Sequence, residues 1–447
     1  MRLLAKCLFF CLLSSAVAAE ESIFKSLASS YLNNPILNSQ REKTKAVDET
    51  LVQAFSNFKP TITGTFTKDD TQNKNSTNYS NSSIAESNLQ TTTQSITITQ
   101  KLFQGISNAK KIKKNTEISR YELKEVEQEV LYKTVEAFTS VVLYQKQILI
   151  NKDNLDLADK QVELDRARYN KGSIKLSDLA QSESSLAAAK SKLLSSENEY
   201  VSSRNSFKNI VGYFPEKLLI NEFIDLNLPK SLEETILLAE KNNPSLIISE
   251  LKVKRAVHEL NHFKEDAFAP KASLSYKVSQ YDEYSATVDK RLQSEFSAEV
   301  SVPFYSGGKS YSLIKEKNAM KVSSELDYLD KKNEINKTAT TAWSNYQLNQ
   351  SRLNLAKAQL KAAEIAFEGI EQEYESGQRT TLDVLSSRGL LLEARLNLIN
   401  SERNEILSRF YILKTIGNLT SNFLKLEAKI YDPDNYLKKT WIRHIIN

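Results

Sequence analysis

This chain contains two versions of one passage, separated by about half its length. Three residues recur at a single offset of 205 positions, since Tyr169, Gly172 and Asp178 correspond to Tyr374, Gly377 and Asp383. The offset holds without a gap from 137 to 212 in the first version. A repeat this long is not a solenoid unit, which spans about 20–50 residues. The sequence therefore predicts a duplicated half-molecule.

A looser correspondence extends the repeat upstream, because Asn33-Asn34-Pro35 matches Asn242-Asn243-Pro244. It divides the chain into two structural repeats, at 20–212 and 232–417. We expect an inter-repeat linker at 213–231 and a C-terminal tail at 418–447 that packs around the middle of the helices.

Residues 1–19 have the pattern of a secretory signal peptide, with a basic start, a short apolar run and a small-residue cleavage site after Ala19. Both cysteines, Cys7 and Cys11, lie in this segment. The mature exported chain would then need no disulfides. It would carry 58 basic side chains, the 60 of the full chain less Arg2 and Lys6, against 55 acidic ones. This near-neutral balance argues against nucleic acid as a partner.

Long helices are predicted for most of the chain, because 447 residues include only 10 Gly and 8 Pro. Apolar residues repeat in steps of three and four, which is typical of a coiled-coil seam. In the second half the seam is Leu353, Ala356, Leu360, Ala363, Phe367, Ile370 and Tyr374, then Leu382, Leu385, Gly389, Leu392, Leu396 and Ile399. In the first half it includes Leu155, Ala158, Val162 and Tyr169.

Two helical hairpins follow from this pattern, with arms at 104–168 and 176–212 and at 309–373 and 381–416. Their turns are placed at Gly172 and Gly377. Beyond the signal segment, the sequence has no run of 18 apolar residues that would predict a membrane-spanning helix.

Alternating apolar and polar residues predict one β-hairpin per repeat, at about 59–103 and about 270–304. We expect strands of about ten residues, enough to cross a bilayer at a tilt, with links at 71–88 and 279–290. Four strands cannot close a membrane barrel, which needs at least about eight. If these strands enter a membrane, the chain must oligomerise.

One motif suggests a metal site, because His258, Glu259 and His262 match the H-E-x-x-H zinc signature. Such a site needs a third ligand, and the candidates Glu283 and Glu295 fall in a predicted β-hairpin. A solvated helix face is therefore the preferred interpretation.

Other chemical motifs are weak. Asn75-Ser-Thr and Asn81-Ser-Ser fit the glycosylation pattern, but an exposed loop rich in Asn and Ser explains them. A Ser/His/Asp set, a phosphate-binding Gly loop and a C-x-x-C pair do not occur in the sequence. We therefore predict no catalytic residues, no cofactor and no metal site.

The second hairpin tip concentrates Tyr374, Arg379 and Asp383. Ordinary turn chemistry accounts for them, with Gly377 supplying backbone freedom and Asp383 capping the next helix or pairing with Arg379.

Taken together, the signal segment, the duplicated halves, the paired β-hairpins and the heptads resemble the TolC family of outer-membrane efflux and secretion channels. The most specific passages are Phe304-Tyr-Ser-Gly-Gly308, with Phe103-Gln-Gly105 as its first-half counterpart, and 374–385. The resemblance implies a mostly α-helical fold with a transmembrane β part. Three copies would close one twelve-stranded barrel and a helical tunnel through the periplasm.

For the tips, the resemblance implies a gate. Asp383 would point into the pore, where three symmetry-related carboxylates attract cations. Arg379 and Tyr374 would tie their coil to the neighbouring one, with Asp178 as partner. Ser386 stands where the family's type member has a second pore Asp, so cation affinity should be weaker.

The predicted function is the passive exit duct of a tripartite efflux or type I secretion system in the bacterial outer membrane. Its partners would be a second and third copy of the chain, a periplasmic adaptor, an inner-membrane transporter and outer-membrane lipid. The alternative is a periplasmic coiled-coil adaptor. Adaptors have one helical hairpin, whereas this sequence predicts two.

Overall fold

The computed structural model of this chain describes residues 22–76, 84–103, 105–216, 218, 226–285 and 287–438. In this part of the chain, each half has two shorter helices, two strands and two long helices. The first half contains α1 (Ile23–Asn33), α2 (Pro35–Ser56), β1 (Thr61–Ser76), β2 (Ile84–Phe103), α3 (Ser107–Asn170) and α4 (Leu176–Val211). The second contains α5 (Leu232–Asn242), α6 (Pro244–Phe268), β3 (Lys271–Ser285), β4 (Val288–Ser301), α7 (Lys309–Glu375) and α8 (Thr381–Thr415).

The two predicted helical hairpins are confirmed, and their four arms agree with α3, α4, α7 and α8 to within three residues. Both β-hairpins are present at the expected places. None of the described helices combines the length and the apolar composition that crossing a membrane requires.

The repeated Asn-Pro pair performs the same task in both halves. Pro35 and Pro244 begin α2 and α6, where a missing N–H costs nothing. The Asn34 side-chain amide donates to the carbonyl of Ile210 at 3.0 Å, and that of Asn243 donates to Thr415 at 2.8 Å. In each repeat, the junction between the two shorter helices is thus hydrogen-bonded to the end of the second long helix.

The chain forms two compact units. One contains the described residues up to Gln40, Leu123–Pro244 and Lys332–Tyr431. Its core is helical and includes the fully buried side chains of Phe138, Phe207 and Phe410. The other contains Arg41–Glu122, Ser245–Lys331 and the described residues from Asp432 onward, including the whole sheet.

The four strands form one antiparallel sheet in the order β1-β2-β3-β4, so β2 and β3 pair across the two halves. The strands are longer than predicted, and the expected links at 71–88 and 279–290 are wrong. β1 continues to Ser76, β2 begins at Ile84, and β3 and β4 leave only 286–287 between them. Ser, Thr and Asn there break the apolar alternation, but the ladder is made by backbone groups and continues without it.

The two faces of the sheet differ in chemistry. One row across all four strands is Ile62, Ile98, Tyr276 and Phe296, and all four side chains are exposed. The next row, on the opposite face, is Thr63, Thr97, Lys277 and Glu295. One face of the sheet is therefore apolar and the opposite face is polar. This alternation is typical of strands that lie between an apolar phase and water.

Several predictions fall outside the described residues. These are the signal segment 1–19, the Asn81 motif, Gln104, most of 217–225 in the linker, and Trp441 in the tail. Part of the tail is described, where the Ser421 N–H donates to Glu127 at 2.6 Å.

Candidate gate at the helix-hairpin tips

Both helical hairpins turn at the predicted glycines. Gly172 and Gly377 have φ values of +71° and +81°, a backbone conformation that residues other than glycine adopt only at a cost in free energy. At the second tip, the Gly377 N–H donates to the Tyr374 carbonyl at 3.0 Å, and the Gln378 N–H donates to Glu373 at 2.9 Å. These bonds satisfy the last carbonyls of α7 and reverse the chain.

Asp383 caps α8. Its carboxylate accepts the Thr380 N–H at 2.9 Å and the Thr380 hydroxyl at 2.8 Å, while its own N–H donates back to that hydroxyl at 3.3 Å. This is a reciprocal capping box. Hydrogen bonds from the Thr380 N–H and hydroxyl hold the pKa of Asp383 below its usual value, and Arg379 adds a smaller effect. The predicted capping role is confirmed.

Arg379 and Asp178, two other predicted gate residues, have local partners within one copy. The Arg379 guanidinium pairs with Glu373 on its own hairpin at 2.6 Å. The Asp178 carboxylate accepts the Lys175 N–H at 3.1 Å at the start of α4. Ser386 is exposed on α8.

The acidic partner of Tyr374 within the chain is Asp165 of α3, not Asp178. The Asp165 side chain is fully buried and accepts hydrogen bonds from the Tyr374 hydroxyl and from the Ser182 hydroxyl of α4. The Gln161 amide donates to both of its oxygens at 3.1 Å. These donors satisfy the hydrogen-bonding capacity of the buried side chain. One side chain thus joins α3, α4 and α7.

Arg168, one turn further along α3, holds the end of α7. Its guanidinium lies 4.1 Å from the centre of the Tyr374 ring, and it donates to the carbonyls of Tyr374 and Glu375 at 3.0 and 3.3 Å. A cation at a helix C-terminus is favourable because the last carbonyls carry partial negative charge. The guanidinium also attracts the ring face.

Burial and the Asp165 hydrogen bond raise the pKa of the Tyr374 hydroxyl, in that order of importance. The phenol therefore keeps its proton at neutral pH and acts as a donor. The ring is 2 % exposed and packs in a cluster with Phe367, Val384 and Leu391. The Tyr374–Asp165 hydrogen bond therefore lies beside an apolar cluster that buries the ring.

Sequence reasoning missed Asp165 and Arg168. The first-half seam was expected to include Tyr169, which is 39 % exposed, whereas Asp165 is buried. The prediction was wrong because it sought only apolar residues at seam positions. The duplication contained a signal that could have identified them. At the offset of 205, Asp165 corresponds to Ile370, an apolar residue of the α7 seam, so Asp165 is a charged residue at a seam position. Arg168 corresponds to Glu373, a residue of opposite charge.

The H-E-x-x-H motif lies on α6, with Glu259 3.8 Å from Lys317. Burial, followed by Lys110 and Lys114, lowers the pKa of His258. Among the described residues, no three His, Cys, Asp or Glu side chains are grouped to hold a metal ion.

The family model described as "Outer membrane efflux protein" matches residues 27–213 and 235–417, one segment per repeat. The outer membrane efflux protein BepC of Brucella suis is 25 % identical over 431 residues, covering 95 % of this chain and 92 % of that protein. The outer membrane protein TolC of Escherichia coli is 22 % identical over 59 % of this chain and 56 % of its own length.

Among solved structures, the CmeC outer membrane channel of Campylobacter jejuni has a similar fold. Its TM-score is 0.77 at 15 % identity, with 93 % of this chain and 88 % of that chain covered.

Proposed function

Because the chain belongs to the outer membrane efflux protein family, whose members are passive channels and not enzymes, we propose that it works as a trimeric duct gated at its helix tips. The chain resides in the outer membrane and extends into the periplasm, where it is the exit duct of a tripartite efflux system.

The observation that carries the proposed assembly is the two-faced sheet. Exposed apolar side chains such as Phe66, Leu292 and Phe296 would be costly in water but suit the hydrocarbon of a bilayer. The opposite face, with Thr63, Thr97 and Glu295, suits a water-filled lumen. In the described sheet β1 and β4 are the edges, and their pairing in three copies would close twelve strands into one barrel.

The helices would complete the duct. In three copies, α3 with α4 and α7 with α8 supply six similar hairpins, which would form the periplasmic tunnel. The boundaries at 19, 212, 231 and 417 are proposed as those of the signal peptide, the first repeat, the linker and the second repeat. The tail would lie at the equator of the helical part.

The gate is proposed at the tips. Opening requires the second hairpin to leave the first, which breaks the Tyr374–Asp165 bond and withdraws Arg168 from the end of α7. Asp383 would line the constriction, with Arg379 and Asp178 at the contacts between neighbouring coils. Ser386 supplies no second carboxylate, which favours weak cation binding. Such a change between two packed states is a common form of gating.

Energy would come from an inner-membrane transporter, reached through a periplasmic adaptor. The alternative in which this chain is itself the adaptor predicts a single helical hairpin, whereas the described residues contain two.

Single-channel conductance in planar bilayers tests the proposal. We expect a small, mostly closed, cation-selective pore that widens in Arg379→Ala, and weaker cation block in Asp383→Ala. Lys171→Ala, an exposed substitution at the other tip, is the matched control and should leave conductance unchanged. A chain that stays water-soluble and forms no pore would refute the duct.

A further inference from the structure

Arg388 of α8 is a buried cation at the contact between the two helical hairpins. Its side chain is 5 % exposed, and among the described residues it is the most buried arginine. Its guanidinium donates to the Ser185 hydroxyl of α4. Ser185 lies one turn along α4 from Ser182, whose hydroxyl donates to Asp165. Arg388 therefore belongs to the contact that would separate when the proposed gate opens.

The closed arrangement leaves the charge of Arg388 poorly compensated. Its partner is a neutral hydroxyl, and no carboxylate of the described residues forms an ion pair with it. Burial alone lowers the pKa of the guanidinium, although an arginine stays charged at neutral pH. A charge that is removed from water without an opposite charge is unfavourable. The closed state is therefore destabilised at this position.

The first hairpin shows which partner Arg388 lacks. Arg166 of α3 pairs with Glu183 of α4 at 2.7 Å. At the offset of 205, which holds without a gap from 137 to 212, these two positions are Glu371 of α7 and Arg388 of α8. The same two charges are thus present in the opposite order. In the described second hairpin, however, Arg388 is turned towards α4 and does not pair with Glu371.

Glu371 lies in a setting that favours a cationic partner. It is half-buried on α7, and burial, followed by the like charges of Glu375 and Glu368, raises the pKa of its carboxyl. Lys160 of α3 opposes that rise, but this lysine already pairs with Asp156 at 2.7 Å. A guanidinium beside Glu371 would stabilise the ionised carboxylate among its acidic neighbours.

We infer that Arg388 changes partners when the gate opens, from the Ser185 hydroxyl in the closed arrangement to the Glu371 carboxylate in the open one. Separation of α8 from α4 would release the guanidinium and let it form the ion pair that the first hairpin already has. This exchange rests on the proposed gate and adds to it a residue that favours the open state. Arg388 and the Tyr374–Asp165 bond would then act in opposite directions, so a modest difference in free energy decides between the two packed states.

Single-channel recording in planar bilayers tests the exchange, in a Tyr374→Phe background whose expected open probability is high enough for a decrease to be measured. Adding Arg388→Met removes the charge and keeps a long side chain, and the open probability should fall about tenfold. Adding Glu371→Gln should lower it about two- to fivefold, the usual contribution of an exposed ion pair. Adding Glu368→Gln, at an exposed carboxylate one turn earlier on α7, is the matched control and should change nothing.

Variants that keep or reverse the charges complete the design. Arg388→Lys retains a cation and should open like its parent. Glu371→Arg alone should lower the open probability, and Arg388→Glu added to it should restore opening, because the pair then has the order found in the first hairpin. Glu371→Gln still decides if Arg388→Met does not fold, since the glutamate is only half-buried.

The opposite result is equally clear. If Arg388 only ties α8 to α4, Arg388→Met raises the open probability and Glu371→Gln has no effect, which would overturn the exchange and leave the proposed gate standing. If Tyr374→Phe itself opens no better than the wild type, the proposed gate is wrong and the exchange fails with it.

Discussion

The phenol hydroxyl of Tyr374 donates a hydrogen bond to the buried carboxylate of Asp165, joining the end of α7 to α3. The two residues are 209 positions apart and belong to different repeats. The acceptor is a carboxylate, and hydrogen bonds to charged groups contribute about 1.5–3 kcal/mol. The bond is therefore strong enough to favour one arrangement of the hairpins and weak enough to be broken.

Tyr374→Phe should open the proposed gate. The substitution removes one donor from Asp165 and leaves the apolar cluster intact, so the closed state loses about 2 kcal/mol. The open probability in planar bilayers should rise by more than tenfold if the pore is mostly closed. Tyr169→Phe, at the equivalent and exposed tyrosine, is the control. Equal behaviour of the two variants would exclude the Asp165 link as part of the gate.

Asp383→Asn should lower thermal stability only where the carboxylate is ionised. The folded-state pKa of Asp383 lies below its usual value, so its capping contribution is present above the unfolded pKa of about 3.9. It is lost as pH falls through the folded pKa. Thermal unfolding followed by circular dichroism should show a gap between wild type and variant at pH 6 that closes only below about pH 4. A gap that closes already near neutral pH would contradict this cause.

Arg120→Ala should destabilise the protein by about 3 kcal/mol, because it leaves Asp48 buried without its cation. Burial raises the pKa of Asp48, and the bond to Arg120 opposes that rise. Without the arginine, the deficit should shrink at lower pH as the carboxyl takes up a proton. Chemical denaturation measures the change. Arg166→Ala, which breaks an exposed pair with Glu183, should cost less than about 1 kcal/mol.

Gly417→Ala should be far more damaging than Gly377→Ala. Both glycines have positive φ, +76° and +81°, so both substitutions carry the backbone cost of about 1 kcal/mol. A Cβ at 417 would lie 2.1 Å from the Asn242 carbonyl oxygen, whereas one at 377 meets nothing within 4 Å. The yield of folded protein and its melting temperature compare them. Similar losses at both sites would mean that backbone strain alone decides.

The sequence was most predictive where apolar packing decides which side chains are buried. The α7 seam is an example, because Ala356, Phe367 and Tyr374 are buried as the heptad steps required. On α8 the same reasoning was wrong at the first turn, where Leu382 is exposed while Thr381 and Val384 are buried. The Thr381 hydroxyl lies 3.2 Å from the Tyr374 hydroxyl, and this polar contact accounts for its buried position.

Polar contacts between distant segments could not be predicted. Asp165 looks like any charged residue of a long helix until α4 and α7 bring Ser182 and Tyr374 to it. The ends of β1 and β2 could not be predicted for a related reason. Backbone hydrogen bonds extend both strands over residues whose side chains are polar and show no apolar alternation.

The order of strands in the sheet also bears on biogenesis. With β1 and β4 at its edges, a newly exported copy presents two rows of backbone donors and acceptors beside an apolar face. Such edges bind whatever strand they meet first. If the proposed trimer forms, correct maturation requires that a copy meet other copies of this chain before its strand edges pair with other proteins. Since stability gained by association depends on protomer concentration, the yield of mature protein should rise more steeply than its rate of synthesis.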